Sequence, residues 1–144
     1  AAALVAAADG RVVDAVRARL DLLRFAGAVH RGGLLAHAMF RQRMESQALN
    51  GLVPWIDALA AEERAALRVD YERILQEREP TERFLEREAL WAGAQMAFGE
   101  NPIAWFRQRL QLSVLYKRSR EKLAANEPMF QDVRAAFALV EDAR

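Results

Sequence analysis

The side chains able to do covalent or metal chemistry are few. The 144-residue chain has no cysteine, two histidines (His30 and His37) and three serines (Ser46, Ser113 and Ser119). Without thiolates there is neither a disulfide framework nor a Cys-ligated zinc site. The two histidines lie seven apart with Gly32-Gly33 between them, no His-Glu-x-x-His is present, and neither histidine follows a glutamate at the Glu-x-x-His spacing of di-iron bundles. No serine sits in a strand-turn-helix elbow or next to a histidine, and the glycines form no phosphate-cradling loop. The composition therefore leads to the expectation of no catalytic residue, no cofactor, and His37 as a hydrogen-bonded histidine on the apolar face of its helix.

Charge is the remaining resource. Lys and Arg number 21 against 20 Asp and Glu, a formal net charge of +1. Nineteen of the basic residues are arginine, a bias that, with 29 alanines, reads as the mark of a GC-rich bacterial genome. The charges are unevenly placed: residues 1–56 carry net +3, residues 57–88 net −4 and residues 89–144 net +2. In the acidic middle, carboxylates alternate with arginines, as in Arg68/Glu72 and Arg73/Glu77, which suits pairing along a solvated helix face. One basic cluster stands out, Arg107, Arg109, Lys117, Arg118, Arg120 and Lys122, interleaved with Trp105 and Tyr116. It is the predicted interaction surface, for another protein first and an anionic membrane surface second. The near-zero net charge disfavours nucleic acid as a partner.

The elements that must position these residues are helices. Alanine, leucine, arginine and glutamate dominate, threonine occurs once and isoleucine three times, so strand formers are scarce. The 53% hydrophobic content fits one packed domain, 1–144, and excludes a disordered tail. The four prolines fall where helices start. Pro54 follows Asn50-Gly51, Pro80 a charged run, Pro102 Gly99-Glu100-Asn101, and Pro128 Asn126-Glu127. Periodicity and punctuation predict helices over 1–8, 14–29, 34–49, 54–60, 62–77, 81–98, 101–125 and 128–143. The expected fold is all-α, a compact bundle of about seven or eight helices with no sheet. Predicted inward faces are Val16, Leu20 and Leu23; His37, Phe40, Met44 and Ala48; Leu67, Tyr71 and Ile74; Phe84, Leu85 and Trp91; Val133 and Phe137.

The opening stretch resembles a known family. Leu4-Val5-Ala6-Ala7-Ala8-Asp9-Gly10-Arg11-Val12, followed by Arg17-Ala18-Arg19-Leu20-Asp21-Leu22-Leu23, is similar to the start of the tellurite-resistance TerB-like proteins. In that family an Ala-rich helix ends at Ala-Asp-Gly and a second helix carries a glutamate seven residues after the aspartate. Here that position is Val16, and no second Ala-Asp-Gly follows. The resemblance implies an all-helical fold of about seven helices, an acidic metal site to which only Asp9 carries over, and a place in membrane-associated stress or signalling assemblies. The resulting expectation is a non-catalytic, TerB-like interaction module. It would act as a subunit or accessory factor of a larger complex, in the cytoplasm and peripheral to the membrane. The alternative is a divalent-cation sensor using Asp9, with Asp14 nearby. The chain does not open on methionine, which reads as a piece of a longer or processed protein.

Overall fold

The computed structural model describes residues 2–30, 35–97, 117–118, 120–122 and 124–139. They are mostly helical, with no strand among them. In chain order the helices are α1 (Ala2–Ala8), α2 (Val12–His30), α3 (Leu35–Leu49), α4 (Val53–Asp57), α5 (Ala61–Glu77), α6 (Thr81–Ala97) and α7 (Glu127–Ala138). The predicted helix over 101–125 lies largely outside the described residues.

Local chemistry explains the boundaries. Asp9 and Gly10 break α1 from α2, with Gly10 at φ 76°, a backbone state a side chain would strain. Gly51, at φ 71°, does the same after α3. Pro54 opens α4, where its missing N–H needs no partner. At the start of α5 the Glu63 carboxylate accepts the Ala60 backbone N–H at 3.2 Å, half of a capping box.

The core forms around α2, which packs against α1, α3, α4 and α5. Val16, Leu20 and Leu23 of α2 meet Ala48 and Leu49 of α3, Leu52, Ile56, Leu67, Tyr71 and Ile74, and Phe130, Val133 and Phe137 of α7. Fully burying a side chain of this size is worth about 1.5–3 kcal/mol. Tyr71 and Phe137 stack with ring centroids 5.3 Å apart, and the Tyr71 hydroxyl donates to the Phe130 carbonyl at 2.7 Å. A smaller cluster joins Ala38 to Phe84 and Leu85 of α6. Arg19 donates to the Gln47 carbonyl near the far end of α3, so α2 and α3 run antiparallel.

Two inward faces differ from the periodic expectation. In α3 the buried residues are Ala38, Arg41, Met44, Glu45, Ala48 and Leu49, while His37 and Phe40 are exposed. The buried face is turned by about one residue and carries the ion pair Arg41–Glu45 inside the protein. In α6, Phe84 and Leu85 are buried as expected, but Trp91 is 48% exposed.

Candidate interaction surface

The predicted acidic residues converge, on an arginine. Arg11 follows the Gly10 turn, and its guanidinium reaches Asp9 Oδ2 at 3.1 Å and Asp14 Oδ2 at 3.2 Å. All three side chains are about half exposed. A cation here would have to displace Arg11, and among the described residues no three His, Asp or Glu side chains gather as a metal site.

The strongest polar constellation lies elsewhere, at the meeting of α3, the end of α5 and the start of α7. Glu45 Oε1 and Oε2 accept Arg78 Nε at 3.1 Å and Nη2 at 3.3 Å, and Asn126 Nδ2 stands 3.5 Å from Oε2. Arg41 Nε lies 3.3 Å from Glu45 Oε1, attracted as a charge but out of line for a hydrogen bond. Its Nη1 donates to the Glu79 carbonyl at 3.2 Å. Arg78 also pairs with Glu127 and lies over the Phe130 ring, 4.2 Å from its centroid. Asn126 stands at the start of α7 yet leaves the capping role, donating to the Gln42 carbonyl at 2.7 Å.

The electrostatics follow from burial. Desolvation pulls the Arg41 guanidinium below its ordinary range, only partly offset by Glu45. Arg78 is desolvated too, but its hydrogen bonds and attraction to Glu45 and Glu127 outweigh that and raise it. Burial likewise pushes the Tyr71 phenol up. Beside this network is a pocket of about 30 Å³ bordered by Leu23, Gly27, Glu45 and Arg78. It has room for roughly two waters at ~15 Å³ each and none for a substrate. Glu45 accepts several donors at once, an arrangement that holds helices together.

The basic cluster is seen in part. Lys117, Arg118, Arg120 and Lys122 are exposed on helical backbone. Trp105, Arg107, Arg109 and Tyr116 lie outside the described residues. Large apolar side chains are also left in water: Phe25 on α2, Met39 and Phe40 on α3, and Leu90 and Trp91 on α6 are each about half exposed or more.

No family profile, characterised protein or solved structure matches the chain. Its function must be read from its own residues. Reading by periodicity missed Arg41, Glu45 and Asn126, because a charged or amide side chain is assigned to the surface by default. Two signals do exist in the sequence. Arg41 and Glu45 are i,i+4 partners on the helix face that carries Ala38 and Ala48, and Arg78 directly precedes a helix break.

Proposed function

We propose that the chain is a non-catalytic α-helical module, TerB-like in its first third, that binds another protein as a subunit or accessory factor of a larger assembly. The supporting observation is the set of aromatic side chains that the core closes without. Phe25, Phe40 and Trp91 remain about half exposed on three different helices. Aromatic anchors of this kind dominate binding energy at protein interfaces. No helix among the described residues is long and apolar enough to cross a membrane. A peripheral contact with an anionic membrane surface draws on the four exposed cations of Lys117–Lys122.

The test compares the wild-type chain with Phe40→Ser and Trp91→Ser as bait in extracts of the source cells. The expected result is one stoichiometric partner held by the wild type and lost by a variant whose melting temperature is unchanged. Identical captured sets, or a chain that stays alone and monodisperse, would overturn the reading. Binding to acidic vesicles that weakens steeply with salt would place the partner at a membrane.

A further inference from the structure

We propose that a groove between the α3–α4 turn and α7 receives the side chain of an unmodified lysine presented by a protein partner. The proposal rests on the protein-binding reading above and names the chemistry one contact would use.

The groove is open to solvent and offers about 170 Å³. A cavity of about 150 Å³ takes a benzene ring, whereas small-molecule sites start near roughly 300 Å³. The space suits one long side chain laid along it. Leu49, Val53, Met129 and Val133 line it, an apolar trough for a four-carbon stem.

Its rim is negative. Asp132 lines the groove, is exposed, and makes no hydrogen bond or ion pair among the described residues. The cation nearest it on α7, Arg134, is held in a two-bond pair with Glu72 at 2.9 and 3.1 Å. Asn50 and Gly51, at the C-terminal end of α3, border the same space. A helix C-terminus carries partial negative charge, and the last turn of α3 contains no basic residue. Of that turn's carbonyls, Gln47 accepts Arg19, Ser46 accepts the Asn50 N–H and Leu49 the Leu52 N–H, each oxygen having a second lone pair.

Carboxylate and helix end together select a cation, and the lining selects which one. A guanidinium is favoured by a flat ring to stack on, and a methylated lysine by an aromatic cage. Among the described residues no aromatic side chain lines this groove. A compact ammonium with three radiating donors suits one carboxylate beside backbone carbonyls.

The test follows the methyl signals of Val53, Met129 and Val133 in the full chain by NMR. The probes are the peptides acetyl-Ala-Ala-Lys-Ala-Ala-amide and its norleucine and arginine counterparts. Saturable shifts at those methyls are expected in about the millimolar range, with lysine preferred about fivefold over either counterpart. Asp132→Asn is expected to abolish that preference without changing the melting temperature. Absence of saturable shifts, equal binding of norleucine, or preference for arginine would overturn the proposal. So would self-association abolished by Lys117→Gln or Lys122→Gln, which would seat this chain's own lysine in the groove. If Asp132→Asn still captures a partner that Trp91→Ser loses, the groove fails while the interaction module stands.

Discussion

Glu45 ties three elements together: Arg41 from its own helix, Arg78 from the end of α5 and Asn126 from the start of α7. Removing its charge leaves two largely buried guanidiniums without their shared anion, a change that costs about 3 kcal/mol or more. Urea unfolding of Glu45→Gln is therefore expected to show that loss at pH 7. Tyr71 supplies a pH signature. Its phenol is raised by burial, so its contribution is complete below the unfolded value of about 10 and is lost as the pH rises above that, toward the folded value. In that window stability of the wild type should fall by about 1.4 kcal/mol per pH unit more steeply than that of Tyr71→Phe. At neutral pH the variant should be weaker by about 1 kcal/mol, having lost the bond to the Phe130 carbonyl. Neither role is visible in spacing alone. Arg41/Glu45 and Arg68/Glu72 are the same i,i+4 pattern, yet the first is buried and the Glu72 carboxylate reaches across to Arg134.

At the scale of the element, the helices were largely legible. The predicted spans 14–29, 34–49, 62–77 and 81–98 match α2, α3, α5 and α6 to within two residues at each end. Helix starts and stops are written in short-range chemistry: proline at a first turn, glycine where φ turns positive. Glycine also separates two roles that can be measured. Gly10 and Gly51 hold positive φ, so Gly10→Ala is expected to cost about 1–2 kcal/mol. Gly27 lies inside α2 with open space where a Cβ would stand. Gly27→Ala should stabilise by about 0.5–1 kcal/mol, read as a higher urea midpoint. Which face each helix buries was less legible. In α3 the ion pair overrides the apolar stripe, and in α6 Trp91 stays outward although its spacing suits a core position.

Across the whole molecule, the uneven charge along the chain pairs within the fold. Asp70 and Glu72 of the acidic middle meet Arg24 from the first segment and Arg134 from the last, and Arg78 answers Glu45 and Glu127. These bridges cross between elements far apart in sequence and so fix how helices sit on one another. Exposed pairs such as Arg24–Asp70 add little energy, at most about 1 kcal/mol. The apolar core supplies the larger share. α7 is the keystone in sequence terms, since Phe130, Val133 and Phe137 enter the same cluster as α2 and α5. Phe137→Ala, which also removes the stack on Tyr71, should lower stability by about 3–5 kcal/mol in thermal or urea unfolding.

The sequence by itself determined the fold class and most helix boundaries, because propensity, caps and turn glycines act over a few residues. It also determined what chemistry is missing from the composition, thiol chemistry above all. Only the tertiary structure decided that Arg41 and Glu45 are inside, that Asp9 and Asp14 share Arg11, and that a groove opens beside α7 with Asp132, unpaired among the described residues, on its rim. Each of these depends on partners brought together by long-range packing. A charged side chain is stable in the interior only when its counter-charge arrives there too, and the position of that counter-charge is a property of the assembled fold.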